Sequence, residues 1–570
     1  MRITARLLRL TLVLLSAAST LCIQLEIPAS PPSTHTIIAS NFLGISIELS
    51  SISKYLGNDT SMIPQALINY VAGVRARTGK SNVRMRVGGN SADSSTYVAS
   101  QTSPMAVLKN PNVDKNSDNQ AINYGPEIWA AMAKVSQMAG GVDYLFSVPL
   151  LNPNNTIPKL AADAKAALGN NLDALLLGNE PDLYQSHKER PNIPNYTIPI
   201  YETEFSRTVD ILQSTFNSFA GPTICCSWNL ADILQAGYVS NFTLRYVTLQ
   251  HYPQNFCPGL GMVHQQFGNS YYIQHSNVVT LAAWQSPAYK TVSTNNSAGA
   301  PQLIMSEFNS ASCGGIPGLS DTFAVGGLWA LDYALQLASV GYSAAYIHTR
   351  EPGITYNIFT SPPGPDGGPG NWTTNPPYYT VLAIAEALRT DNGGIVADLN
   401  LGGSMTDSAA SQAGYAVYDA QNFTVTRLVL FNYAAESATF TLPTTLFENS
   451  ATKSVLVKYL ESSSGANETT KVSWAGKTFA GVGDGKSPVD AAWATSDQNL
   501  ECSSGCSFNV SGTSMGMVFL DNAQFSATPG ATGPQPTSST QSQNSASHMT
   551  GLWMTLTVVV LPLLGAILLT

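Results

Sequence analysis

Two glutamates stand out by their setting. Glu180 closes the run Leu177-Gly178-Asn179-Glu180-Pro181, and Glu307 sits in Ser306-Glu307-Phe308-Asn309; each follows a short, strongly apolar segment. A buried strand fixes its backbone, so an acid at its end is delivered to a defined place. Two carboxyls facing each other across a pocket suit glycoside hydrolysis, in which one gives a proton to the leaving oxygen and the other, ionised, attacks the anomeric carbon. Their environments must push the two pKa values apart. Asn179, beside Glu180, adds a neutral amide suited to a sugar hydroxyl. A Ser/His/Asp hydrolase is disfavoured, because no Gly-x-Ser-x-Gly stands at a strand-to-helix turn. No cysteine or histidine spacing resembles a zinc site, so neither metal nor cofactor is expected.

Eight short apolar segments lie between residues 42 and 349: Phe42–Leu49, Val83–Gly89, Tyr144–Leu151, Ala174–Glu180, Thr223–Trp228, Tyr246–Tyr252, Gln302–Phe308 and Ala344–His348. Their length and near-continuous hydrophobicity predict buried parallel strands. Helical spacing predicts helices between them over Glu127–Met138, Pro158–Leu168, Tyr201–Phe219 and Thr322–Val340, with another over Tyr378–Arg389. Eight alternating units predict an α/β fold, a (β/α)8 barrel. A doubly wound open sheet is the rival, but no Gly-rich phosphate loop follows the first strand. Glu180 and Glu307 then end the fourth and seventh strands, 307 − 180 = 127 residues apart, facing each other across the barrel mouth. From about residue 395, short alternating segments separated by Ser, Gly, Asn and Thr predict a C-terminal β-sandwich. The expected layout is a signal peptide over 1–20, a segment over 21–40 that joins the β-domain, the barrel over 41–392, the β-sandwich over 393–525, a linker over 526–548 and an apolar tail over 549–570.

Other strand ends supply further candidates. Gly44-Ile45-Ser46-Ile47-Glu48 ends the first strand, and Arg86-Val87-Gly88-Gly89-Asn90-Ser91-Ala92-Asp93 ends the second, so Glu48 and Asp93 are expected to hold sugar hydroxyls. Gln250-His251-Tyr252 ends the sixth, and His348-Thr349-Arg350-Glu351 ends the eighth. Asn179-Glu180-Pro181 with Ser306-Glu307, on a barrel followed by a β-domain, resembles the retaining glycosidases of the large (β/α)8 clan. The closer resemblance, over roughly residues 25–525, is to glycoside hydrolase family 79, which contains secreted β-glucuronidases and heparanase. It rests on the Gly88-Gly89…Asp93 stretch, Glu48 and Cys313-Gly314-Gly315. The resemblance implies a retaining double displacement with Glu180 as acid/base and Glu307 as nucleophile. It also implies that Tyr252 orients the nucleophile, and that Tyr356, Gly314 and Gly315 receive a glucuronate carboxylate. Arg350 could supply a cation by plain chemistry, or pair with its neighbour Glu351. His251 reads as a packed or hydrogen-bonded side chain.

Composition limits the partners. Charged residues are 11% of 570 against a usual quarter, apolar residues are 44%, and the net charge is −9. Nucleic acid is therefore not an expected partner, and a cleft without Lys/Arg clusters does not suit sulfated chains. The expected substrate is a glycan bearing terminal glucuronic acid, which could be 4-O-methylated. Alternative readings are an arabinofuranosidase or xylosidase of the same clan, or a non-catalytic surface carbohydrate-binding protein. Arg2, Arg6 and Arg9 before Leu10–Leu15 predict a secretory leader. The polar linker, small residues at Asn544, Ser545 and Ala546, and the apolar Leu552–Ile567 predict a glycosylphosphatidylinositol anchor as the only membrane attachment. Nine sequons, at Asn58, Asn154, Asn195, Asn241, Asn295, Asn371, Asn422, Asn467 and Asn509, fit a secreted glycoprotein. Of seven cysteines, Cys22 is expected to leave with the leader or sit at its edge; the other six allow three disulfides, with Cys502 and Cys506 close enough for a small loop.

Overall fold

The computed structural model describes residues 21–521 apart from 111–119, 151–155, 258–260, 262–263, 287, 294–298, 364–369 and 449–452. The leader, linker, apolar tail and the sequons at Asn154 and Asn295 lie outside the described residues.

Eight parallel strands close a barrel: β1 (Leu43–Glu48), β2 (Val83–Gly88), β3 (Val142–Val148), β4 (Leu172–Leu177), β5 (Phe219–Ile224), β6 (Leu244–His251), β7 (Gln302–Phe308) and β8 (Ala344–Thr349), with β8 pairing β1. The strands read as apolar runs because both faces are covered. Outward residues meet the helical ring, and inward residues fill the lumen with Leu145, Ala174, Leu176, Ala220, Tyr246, Ile304, Ala344 and Tyr346. Below this plug, the Tyr246 hydroxyl donates to Asp173 Oδ2 at 2.5 Å and Arg84 Nη1 donates to Tyr246 at 3.2 Å. Arg84, Tyr246 and Asp173 thus form one linked polar group at the closed end.

The fifth strand differs from the sequence reading. It runs Phe219–Ile224, not Thr223–Trp228, so Cys225–Trp228 belongs to the mouth loop. Gly221-Pro222 reads as a strand breaker. Yet a Cβ at Gly221 would stand 2.3 Å from the Tyr238 hydroxyl, so close packing of the next helix dictates the glycine. The preceding helix consequently spans Ile198–Leu212 and stops short of Phe219. The helix expected over Thr322–Val340 opens with a π-helical stretch, Phe323–Trp329, before the α-helix Ala330–Val340.

The β-domain is a sandwich of a nine-stranded and a three-stranded sheet. Its core interdigitates Leu428, Leu430, Val457 and Val518 from the larger sheet with Phe440, Phe508 and Val510 from the smaller. The N-terminal segment does join it: Leu21–Gln24 pairs in parallel with Ala438–Leu442, and Ile38 bridges Gly394. Cys22 lies in that strand as an exposed free thiol. The disulfides are Cys225–Cys226, Cys257–Cys313 and Cys502–Cys506.

Candidate active site

The mouth collects the ends of β1, β2, β4, β6, β7 and β8 around Glu307. Its Oε1 accepts the Tyr252 hydroxyl at 2.7 Å, and its Oε2 accepts Arg86 Nη1 in an ion pair. His348 Nε2 lies 3.8 Å from Oε1. Burial alone would raise the Glu307 carboxyl, but the charges of His348 and Arg86 and the hydrogen bonds from Tyr252 and Arg86 overcome it and bring the pKa to about 2. Glu307 is therefore an anion, 6% exposed, aimed by a phenol and a guanidinium.

Glu180 follows a left-handed turn, with φ +81 at Gly178 and φ +49 at Glu180 itself. A non-glycine residue in that region is held there by its surroundings, here by its N–H donating to Thr223 O at 3.2 Å and by the short helix Pro181–Leu183. Gln250, on β6, lies between the two halves of the site. In one amide orientation its nitrogen donates to Asn179 Oδ1 at 2.8 Å. In the other, which gives both ends of the amide proper partners, it donates to Glu180 Oε1 at 2.9 Å and accepts from Arg86 Nη2 at 3.3 Å. Burial and the charges of Glu307 and, less strongly, Glu180 push the Tyr252 hydroxyl well above its ordinary pKa.

The other predicted residues divide. Asn179 is in the mouth, but its amide is engaged by protein: Oδ1 accepts Arg86 Nη2 at 2.8 Å and Nδ2 donates to Asn90 Oδ1 at 2.7 Å. Glu48 is buried against Ser91, whose N–H donates at 3.0 Å, and lies 3.3 Å from His348 Nε2. A Cβ at Gly89, where φ is +85, would fall 2.0 Å from Glu48 Oε2, which explains the Gly88-Gly89 pair. Burial works to raise Glu48, but the His348 hydrogen bond and charge leave it below the usual carboxylate range.

Asp93 corrects the sequence reading, because it stands behind the site. Oδ1 accepts Leu150 N–H at 3.0 Å, and Oδ2 accepts Asn179 N–H at 2.8 Å and the Tyr184 hydroxyl at 2.5 Å. Oδ1 thus holds the loop after β3 and Oδ2 the backbone at Asn179, so both oxygens are engaged by the protein. Arg350 pairs with Glu351 at 3.2 Å, and His251 stacks on Trp284 with ring centroids 4.1 Å apart.

On the far side of Glu307, Cys313, Gly314 and Gly315 are three consecutive residues with positive φ, at +60, +104 and +81. Such a run turns successive N–H groups toward one point, a nest for an anion. Among the described residues, neither the Gly314 nor the Gly315 N–H donates to the protein. Gly314 O accepts Thr355 N–H at 3.1 Å, and the Cys257–Cys313 disulfide ties the loop to the β6 side. Tyr356 is buried beside His348, and Asn309 Nδ2 donates to both His348 O, at 2.8 Å, and Tyr356 O, at 3.3 Å, joining the β7 and β8 ends. Asp182, Cys225 and Cys226 bring three potential metal-ligand atoms within 4.8 Å of one another. The sulfurs are joined, however, and the carboxylate accepts the N–H groups of Cys225, Cys226 and Ser227, so the cluster is committed to the turn.

Arg86 and His348 stand against Glu307, and Gln250 reaches Glu180; sequence reasoning gave none of the three a role. For Arg86 a signal existed: a guanidinium inside an apolar parallel strand must find a buried anion. Arg86→Lys keeps the charge but loses the fork that spans Glu307 and Asn179. The expected result is a kcat lowered about 10²-fold, the cost of misplacing a reacting group, with KM and melting temperature little changed, checked by steady-state kinetics beside a thermal melt.

Residues 414–516 match the family model described as the glycosyl hydrolase family 79 C-terminal beta domain. A β-glucuronidase of Neurospora crassa is 24% identical over 553 residues, covering 82% of this chain and 89% of the relative. One from Aspergillus niger is 26% identical over 357 residues, covering 55% of this chain and 60% of the relative. Among solved structures, a 4-O-α-L-rhamnosyl-β-D-glucuronidase from Fusarium oxysporum has the same fold, with a TM-score of 0.69, 20% identity, and coverage of 87% of this chain and 100% of that one. The α-L-arabinofuranosidase AbfB of Bifidobacterium longum superposes less closely, with a TM-score of 0.54 at 13% identity over 87% of this chain and 98% of that one. With its barrel, its strand-end glutamates and a β-domain that matches the family 79 C-terminal domain over residues 414–516, the chain is a glycoside hydrolase similar to the family 79 β-glucuronidases.

Proposed function

We propose that the enzyme removes terminal β-linked glucuronic acid from glycans by double displacement. Glu307 attacks the anomeric carbon and Glu180 gives a proton to the leaving oxygen; Glu180 then takes a proton from the water that releases the sugar. The observation that carries the glycosidase chemistry is the fixed Glu307 anion in a mouth that also holds Glu180. Glu307 is held as an anion by Arg86, Tyr252 and His348, and Gln250 reaches across the mouth to Glu180 Oε1. The sugar's carboxylate is assigned to the nest at Gly314 and Gly315 with the Tyr356 hydroxyl, a reading supported by the free glycine N–H groups and by the names of the relatives. Tyr252, Asn179 and Glu48 shape the surroundings of the reacting carbon.

The test compares nitrophenyl β-glucuronide with the corresponding xyloside and arabinofuranoside. Glucuronide turnover at least about 10²-fold faster, the range of a lost charge-assisted contact, supports the reading. Preference for a neutral pentoside sinks it in favour of an arabinofuranosidase or xylosidase. Gly315→Ala sharpens the test, since its Cβ would stand 2.6 Å from Thr355 Oγ1 and 2.8 Å from Ser320 Cβ at a φ of +81. KM for the glucuronide should rise about tenfold, as expected for one displaced hydrogen bond to a charge, while kcat changes less. The protein is further proposed to be a secreted glycoprotein held at the cell surface by a lipid anchor, so phosphatidylinositol-specific phospholipase C should release it from intact cells.

A further inference from the structure

The leaving group must lie on the Glu180 side of the bound sugar, because Glu180 delivers the proton to the departing oxygen. The neighbouring strand there is β5, and Thr223 O already accepts the Glu180 N–H. Two residues further on, the chain turns through Cys225 and Cys226, adjacent residues joined by a disulfide. Cys225 is buried and Cys226 is exposed at the mouth. The turn is built to stay in place. Asp182, two residues after Glu180 and 8% exposed, accepts N–H groups from Cys225 at 3.2 Å and from Cys226 and Ser227 at 2.8 Å each. The next residue is Trp228, partly exposed and stacked on Tyr196 with centroids 6.0 Å apart.

A disulfide between neighbours has no side-chain freedom left to lose, so a ligand packed on it costs little ordering entropy. Its sulfurs are polarisable and uncharged, suited to the C–H face of a sugar. The exposed ledge of Cys226, Ser227 and Trp228 presents no charged side chain of its own, and the Asp182 carboxylate beneath it is turned to the backbone N–H groups. We infer that the Cys225–Cys226 ledge is the floor of the leaving-group subsite and selects substrates in which the glucuronic acid is attached to a neutral sugar. This inference rests on the glucuronidase reading and adds to it the class of the group that departs. The Asp182 carboxylate then holds the acid/base loop and the ledge at one fixed spacing.

The experiment compares two donors on one variant. β-Glucuronosyl fluoride has no leaving-group sugar, whereas a disaccharide of glucuronic acid β-linked to xylose or galactose has a neutral one. In Cys225→Ala/Cys226→Ala, kcat/KM for the disaccharide should fall about tenfold, the value of one lost packing surface, with the fluoride rate unchanged within about twofold. Equal losses on both donors would make the disulfide a prop for the catalytic groups and overturn the inference, as would no loss on either. If the variant does not fold, the unaltered enzyme decides through glycosyl transfer. The hydroxyl oxygen of an acceptor sugar attacks the anomeric carbon, the bond to Glu307 breaks, and the hydroxyl proton passes to Glu180. Saturable transfer from the fluoride to a neutral pyranoside, and none to a uronide acceptor, supports the ledge; equal or preferred transfer to the uronide overturns it. A wild type that leaves glucuronosyl fluoride untouched instead removes the glucuronidase reading on which the inference stands.

Discussion

Glu307→Gln abolishes turnover of every glycoside the enzyme accepts, lowering kcat by about 10⁴-fold or more, the scale on which removal of a nucleophile is felt. The substitution is nearly isosteric: the Gln oxygen can accept from Arg86 in place of Oε2, and its amide nitrogen can donate to the Tyr252 hydroxyl in place of Oε1. What disappears is the anion that becomes bonded to carbon. Glu180→Gln should behave differently: it cripples substrates with poor leaving groups but spares glucuronosyl fluoride, whose departure needs no proton. Rapid-mix kinetics with the two donors separates the roles, and a Glu307→Gln enzyme retaining near-normal rate would require another nucleophile. The pH dependence carries a signature too. Glu307 is depressed from its ordinary value of 4.5 to about 2 in the fold. Its contribution to stability is therefore present above about pH 4.5 and is lost as pH falls through about 2. The acid limb of kcat/KM should accordingly lie well below the ordinary carboxylate range, and Arg86→Lys should move it upward.

The strand ends were legible because parallel strands buried on both faces write themselves as short apolar runs, and the residue after each run lands at the mouth. That logic pointed to Glu180 and Glu307, while Tyr252 and the glycine loop were singled out through the family resemblance. The strand logic failed at β5, where Gly221 is demanded by the Tyr238 hydroxyl packed against the strand, a contact that sequence spacing does not contain. Asp93 looked like Glu48 in the sequence, an acid just past a strand. Only the fold shows that its partners are the Leu150 and Asn179 amides and the Tyr184 hydroxyl, which makes it a support for the acid/base loop. His348 shows the complementary blind spot. A histidine inside a strand is ambiguous until Ser46, Glu48 and Glu307 are seen around its ring. The disulfide pairing was open in the sequence, and the fold closes it by bringing the loop after β6 against the glycine loop after β7.

A second large effect lies far from the mouth, where the barrel meets the β-domain. His275, at the start of the helix His275–Ala282, is fully buried between two carboxylates: Nδ1 lies 2.9 Å from Asp332 Oδ2, and Nε2 lies 2.8 Å from Asp398 Oδ2. Asp332 belongs to the barrel helix Ala330–Val340 and Asp398 to the strand Gly394–Asp398. The Tyr415 and Tyr433 hydroxyls complete the cluster, donating to Asp332 at 2.5 and 2.6 Å. A ring with acceptors at both nitrogens must donate from both and is therefore a cation. Burial alone would lower its pKa, but the charges and hydrogen bonds of Asp332 and Asp398 raise it to about 10. A raised histidine stabilises the fold fully below its unfolded value near 6.5 and loses that contribution as pH climbs through about 10. The wild-type melting temperature should thus fall progressively between those limits. His275→Gln removes the cation and leaves two buried carboxylates facing each other, a loss on the order of 3–5 kcal/mol, and its melting temperature should be nearly flat over the same window. Asp398→Asn removes one acceptor and should lie between the two. Differential scanning calorimetry across pH 6 to 10 checks all three, and a wild-type curve as flat as the variant's would show that the histidine is neutral.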